Sequence, residues 1–256
     1  MRAPLLPAVL ATTLCACVSM NLTPAGPKGD ATAATAKRRL VHIDHVDPGK
    51  VTQFENARRE LLAAYADKGI REGTTTVIET QDDEGRPEFL SVRPFGRYAD
   101  IDKLNDDAAV RAAQIGKDLE RLDAMTHATL VFPHANAIWL PRPDLSYVPA
   151  GAPTEGDAAA ARITIEGVGP AASDEYEAAV KGVTAALAKE KSPLARVAFT
   201  ASYGTGEYVT LWLARSAADC AALDAGELAA AIAKEKEKAV TSATRVAFLR
   251  RELSSR

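Results

Sequence analysis

The chain repeats itself, and any fold has to accommodate two copies of one unit. Residues 38–140 and 161–256 carry the same apolar pattern. Aligning Pro48 with Pro170 sets an offset of 122 residues. At that offset Val41, Ile43, Val46, Phe54, Leu61 and Tyr65 meet Ile163, Ile165, Val168, Tyr176, Val183 and Leu187. Farther along, EFLSVRPFGRYADIDKL faces EYVTLWLARSAADCAAL at an offset of 119, so that Phe89 meets Tyr208 and Asp100 meets Asp219. Near the block ends, THATLVFP faces SATRVAFL at an offset of 116.

Each unit has the same expected order of elements. An alternating strand (40–46; 162–168) leads into a helix (49–68; 171–190) with apolar residues at helical spacing. Asp47 is placed to cap the first of these helices, with Pro48 at its first position, where the missing N–H does no harm. Two strands follow (74–81 and 88–95; 196–203 and 207–214), then a second helical region (99–123; 217–239). A last strand (127–132; 243–249) closes the unit. The order is β-α-β-β-α-β, the ferredoxin-like arrangement. The stretch between units, 141–160, is rich in Pro, Gly and Ala and reads as a linker.

Carried twice in one chain, this order resembles the dimeric α+β-barrel superfamily, which includes antibiotic-biosynthesis-type monooxygenases and NIPSNAP-like proteins. The resemblance implies an α+β fold: two ferredoxin-like repeats packed sheet to sheet as an intramolecular barrel, with the helices outside. It also implies a cofactor-independent, monooxygenase-like oxidation of a small aromatic or quinol-like substrate as one class of function. There His42 or Asp44 would remove a proton. Some members hold haem through a histidine, but their motif is absent here, and no cofactor is expected.

Strand alternation sorts the side chains into two rows. One row is uniformly apolar (Val41, Ile43, Leu90, Val92; Ile163, Ile165, Val209, Leu211, Leu213) and is expected beneath the helices. The other is mixed and contains Phe89, Phe95, Tyr208 and Trp212, so it is expected to line a shared interior. Pockets are mostly apolar with a few placed polar groups. The candidate lining residues are therefore His42, Asp44, Arg93, His127, Glu166, Trp212 and Arg245. Each also has a structural reading. Asp44 and Glu166 are equivalent positions that Arg93 and Arg245 could neutralise, and Trp212 could simply fill the core. All four histidines (His42, His45, His127, His134) fall in the first unit. Alternation sends His42 and His45 to opposite faces, and zinc asks for three or four protein ligands, so no metal is expected. No G-x-S-x-G, H-E-x-x-H, C-x-x-C, Walker or G-x-G-x-x-G motif is present, so no reaction is named by motif.

The N-terminus, MRAPLLPAVLATTLCAC, pairs a basic Arg2 with an apolar run from Ala3 to Leu14. That run is too short to span a bilayer and fits a signal peptide over residues 1–16. Leu14-Cys15-Ala16-Cys17 resembles the lipobox of bacterial lipoproteins, which implies lipidation of Cys17 and a membrane held through the lipid anchor. Plain secretion is the alternative. Val18 after the cysteine, rather than Asp, implies the outer membrane. Residues 17–37 form a Thr/Ala/Pro/Gly-rich tether. The remaining cysteine, Cys220, reads as a small apolar residue. With 31 basic against 34 acidic residues, nucleic acid is not an expected partner. The expected role is therefore binding of a small hydrophobic or aromatic ligand, or a structural role, at the cell envelope. Oxidation as above and a protein-interaction module are the other classes.

Overall fold

The computed structural model describes residues 37–70, 73–132, 134–202 and 206–254. The signal segment, Cys17, nearly all of the tether and Tyr203 lie outside the described residues.

The first repeat comprises β1 (Arg38–His45), α1 (Val51–Asp67), β2 (Thr76–Gln81), β3 (Pro87–Phe95), α2 (Ala99–Ile115), α3 (Lys117–His127) and β4 (Ala135–Pro141). The second comprises β5 (Ala160–Gly167), α4 (Ser173–Lys189), β6 (Ala195–Ala201), β7 (Glu207–Ala214), the short α5 (Ala217–Ala221), α6 (Gly226–Lys236) and β8 (Thr241–Leu249). Asp47 caps as expected: its side chain accepts from the Gly49 N–H at 2.8 Å, and Pro48 opens a 3-10 turn ahead of α1. The second helical region of the first repeat breaks in two at Gly116, whose φ of 66° a residue with a Cβ would adopt only under strain.

The strands close into one barrel in the order β1-β3-β2-β8-β5-β7-β6-β4. Each repeat supplies four antiparallel neighbours, and the two sheets join edge to edge. One seam is β2–β8, through Ile78↔Leu249 and Glu79↔Phe248. The other is β4–β6, from Trp139↔Ala201 to Pro141↔Phe199. Helices α1 and α3 cover the first sheet from outside, and α4 and α6 cover the second.

Two expectations are corrected here. The closing strand of the first repeat is 135–141, not 127–132. His127 ends α3, and residues 128–132 form a turn that meets the end of β1 through the Val46↔Leu130 bridge, the Val131 N–H on the His45 carbonyl and the Phe132 ring against His45, without forming a strand. The ladders pair Arg39 with Trp139 and the equivalent Ala161 with Ala247, so the true offset of the last strands is 108. The alternation in THATLVFP is real. However, Thr126 and Thr129 return their hydroxyls to the backbone of the helix end, and it is ANAIWLP that forms the ladder with β1.

The two rows are also reversed. The uniformly apolar row fills the lumen: Val41, Ile78, Leu90, Val92 and Trp139 from one repeat pack with Ile163, Val197, Phe199, Leu211 and Ala247 from the other. The mixed row faces outward, under the helices. Closure puts the inner row out of reach of water on every side, so it must be dry, whereas helices cover only part of the outer surface. Small residues in the lumen, Ala161, Ala195 and Ala247, leave room for Trp139 beside Phe199, with ring centroids 5.8 Å apart. The linker stoppers one mouth. Val148, Ala152 and Ala158 pack onto the lumen core, and Glu155 pairs at 2.8 Å with Arg39, whose guanidinium lies over the Phe199 ring.

This assignment of inside and outside predicts unequal costs. Leu211→Ala, in the lumen, should lose about 2–5 kcal/mol of stability in urea unfolding. Val246→Ser, on the exposed outer face of β8, should stay within about 0.5 kcal/mol of the parent. Equal losses would contradict the assignment.

Candidate functional site

On the outer face of the first sheet, position by position along β1, Leu40 is followed by His42, Asp44 and Val46. Leu40 belongs to an apolar cluster with Phe95, Ile101 and Leu104. Val46 belongs to a second with Phe54, Val77 and Phe89. Between these clusters the helix–sheet interface is polar: His42 and Asp44 on β1, Ser91 and Arg93 on β3, and His134 and Asn136 at the start of β4. At the equivalent places in the second repeat stand Thr164, Glu166, Thr210 and Trp212. Trp212 there packs among Val183, Leu187, Leu223 and Leu228 and fills the layer.

The histidines of the first repeat form a chain around one carboxylate. Asp44 is 5% exposed. Its Oδ1 lies 2.7 Å from His134 Nδ1 and 3.2 Å from His42 Nε2. His134 Nε2 lies 2.9 Å from His127 Nε2, and His127 Nδ1 lies 2.8 Å from the Asp123 carbonyl. His42 Nδ1 lies 3.0 Å from Asn136 Oδ1. Burial alone would raise the Asp44 pKa, but the bonds from His134 and His42 outweigh it and hold the carboxyl well below the usual range. Burial would lower His42, but Asp44 outweighs it and raises the ring above its ordinary value, against the opposing charge of Arg58 on α1.

The chain fixes which nitrogens carry hydrogen. A carbonyl only accepts, so His127 donates from Nδ1; as a neutral ring it then accepts at Nε2 from His134 Nε2. Likewise His42 donates from Nδ1 to the Asn136 oxygen. As neutral rings, His134 and His42 then both turn lone pairs toward Asp44 Oδ1. Three acceptor atoms converge, and a cation must hold them together, either protons on the rings or a metal ion.

The second repeat answers the same acid differently. Glu166 accepts from the Tyr176 hydroxyl at 2.5 Å and from Ser242 at 3.3 Å. Arg196, fully buried, donates to Glu235 at 2.5 Å and to the Leu145 carbonyl at 2.7 Å, and lies over the Trp212 ring. This is a structural network with its cation built in.

Of the candidates named from sequence, His42, Asp44 and His127 are thus brought together, and Arg93 lies on the same outer face of β3. Glu166 and Trp212 sit under the other helical layer. Arg245 alone points into the barrel, at the mouth opposite the linker, where it binds Glu88 at 2.6 Å and Asp83 at 3.0 Å. His45 faces Glu88 there at 3.6 Å. The neutralising partners are therefore not the expected arginines: imidazoles serve Asp44, while Tyr176 and Ser242 bond Glu166. His134 was not singled out from sequence. Its signal was the β1–β4 register, in which Ile43↔Ala135 sets residue 134 across from Asp44.

The architecture defines the protein as an α+β barrel of two fused ferredoxin-like halves. Solved structures share it. A presumptive monooxygenase from Fusobacterium nucleatum superposes with a TM-score of 0.58 at 12% identity, over 84% of this chain and 93% of that one. Another from Lactobacillus acidophilus superposes with a TM-score of 0.51 at 10% identity, over 86% and 96%. A looser likeness is to a haem-binding protein of Thermus thermophilus, with a TM-score of 0.45 at 11% identity over 84% and 92%. No protein-family profile matches the chain, and no curated protein matches it.

The second-repeat network carries a pH prediction. Burial pushes Glu235 up to about 7; Arg196 pulls it back, and neighbouring Glu166 adds to the rise. A carboxyl raised on folding stabilises the fold fully below its unfolded value, near 4.5, and that contribution is lost as pH rises through about 7. Relative to Glu235→Gln, the parent should therefore lose roughly 1–3 kcal/mol between pH 5 and pH 8 in paired thermal melts. A difference independent of pH would refute this.

Proposed function

We propose that the protein is an envelope lipoprotein that binds a small aromatic or quinol-like molecule beneath the helices of its first repeat and takes a proton from it there. The observation that carries this reading is the asymmetry of the duplication. The layer of His42, Asp44 and His134 stands where the second repeat has Thr164, Glu166 and Ser242, and there Tyr176 and the buried Arg196–Glu235 pair, lying over Trp212, complete a network without a histidine. A buried carboxylate fixing two imidazoles is the arrangement that orients a general base. Removing the proton of a phenolic hydroxyl leaves an electron-rich oxyanion, which dioxygen can attack. The likeness in fold to presumptive monooxygenases supports that class of chemistry over a purely structural role.

The membrane tether rests on the N-terminal sequence. Cys17→Ser should move the protein from the membrane to the soluble fraction of its host. A variant that still sediments with membranes removes the anchor from this reading.

The chemistry is tested on protein purified from its host. Native mass spectrometry should show a retained organic ligand, and a panel of phenols and quinols should bind. With a substrate found, Asp44→Asn and His42→Ala should each lower dioxygen consumption by about 100-fold or more, while Trp212→Phe leaves it unchanged. Turnover that survives both first-repeat changes would overturn the assignment.

A further inference from the structure

Both histidines that face Asp44 have their far ring nitrogens fixed by hydrogen bonds. His42 Nδ1 is held by the Asn136 oxygen, and His134 Nε2 by His127, which is itself fixed by the Asp123 carbonyl. Metal-ligating histidines carry this kind of support: the far N–H is donated to an acceptor, which sets the tautomer and aims the near nitrogen. What this support turns inward is a set of three: His42 Nε2, Asp44 Oδ1 and His134 Nδ1. These ligand atoms all lie within 4.8 Å of one another. Asp44 Oδ1 lies 2.7 Å from one of the nitrogens and 3.2 Å from the other, and a small adjustment of the side chains would set all three about 2.0–2.2 Å from one ion.

We propose that His42, Asp44 and His134 bind one divalent first-row transition-metal ion, with His127 and Asn136 as the residues that orient the ligands. Two imidazoles and one carboxylate are a borderline donor set that suits iron(II), cobalt(II) or zinc, and three protein ligands leave coordination positions open. The elements are built for it. His42 and Asp44 are two apart on one strand and so share a face, and the β1–β4 ladder delivers His134 opposite Asp44. The second repeat makes the contrast: its equivalent acid, Glu166, is satisfied by Tyr176 and Ser242, beside a Glu235–Arg196 pair, a set that cannot ligate a cation in the same way. The inference rests on the site of the proposed function and changes how it would work: side chains that ligate an ion cannot also be the base, so the proton would pass to a hydroxide held in one of the open positions; the metal site itself does not depend on the substrate.

The test uses the untagged mature chain, made soluble by Cys17→Ser, titrated with cobalt(II) as the probe. One equivalent should bind and develop visible absorption. His42→Ala, Asp44→Asn and His134→Ala should each abolish that binding with unchanged circular dichroism. His127→Gln should weaken it by about 10–100-fold, and His45→Gln, on the opposite face of β1, should leave it intact. No uptake by the folded parent, or uptake indifferent to His42→Ala and His134→Ala, overturns the proposal. Should a variant unfold, X-ray absorption of the cobalt-loaded parent decides: two imidazole ligands support the site, and none refutes it. The two readings fail separately. Cobalt bound with no affinity for phenols removes the substrate class alone, and phenols bound by a chain that takes up no cobalt removes the metal alone.

Discussion

Closure of the sheet is the constraint on which everything else rests. Each repeat makes a four-stranded sheet with two bare edges, and a bare edge is a row of unpaired N–H and C=O groups. Here the edges of one repeat are satisfied by those of the other, β2 by β8 and β4 by β6. Once the seams form, the inner row of every strand has no solvent to face, and it is aliphatic along most of its length. The hydrogen bonds at the seams are few, so the shared lumen core, drawn from all eight strands, holds the halves together. The linker is recruited to the same end. Ala152 and Ala158 enter the apolar cluster, and Glu155 meets Arg39 at the rim.

With the lumen dry, polar chemistry moves outward to the layer between sheet and helices. Both repeats place an acid at the same point of their first strand, Asp44 and Glu166, and burying a carboxylate demands partners. The two solutions differ in kind. In the second repeat, Tyr176 and Ser242 bond the acid, and the permanent cation of Arg196 holds the adjoining Glu235, wedged against Trp212. In the first, imidazoles surround the acid, and they can give up protons or exchange them for another cation. One solution fixes a structure, and the other leaves a group whose state can change.

Much of the fold could be read from the residues, because burial on one face of a strand or helix writes a period into the chain. The offsets of 122 and 119 align true structural equivalents, and the cap at Asp47 and Pro48 falls where it should. The third register failed because THATLVF, the last two residues of a helix and the turn after it, imitates a strand, and the hydroxyls that tie Thr126 and Thr129 to the helix end leave no periodic trace. The reversal of the faces has a deeper cause. Periodicity separates two rows but does not say which is inside; that depends on whether helices cover the outer face completely. They do not, as exposed Val246 and Phe248 on β8 show. His134 escaped notice for a related reason: it precedes its strand, and only the correct register of β4 places it opposite Asp44.

The asymmetry between the halves follows from duplication itself. A barrel made of two identical halves would have to make any active layer twice, and each polar layer costs packing between sheet and helix. Fusing the halves in one chain removes that requirement. The second repeat packs Val183 and Leu187 of α4 against Trp212 and Tyr176 of α4 against Tyr208, with the Glu166–Tyr176–Glu235–Arg196 network in the same layer. Its arginine-centred layer supports the common lumen, and the first repeat can then keep histidines at the centre of its own. The apolar clusters at Phe95 and Phe54 still clamp that layer at both ends. They keep His42, Asp44 and His134 from collapsing onto the helices, so the polar layer is held in shape by the packing on either side of it rather than by its own bonds alone.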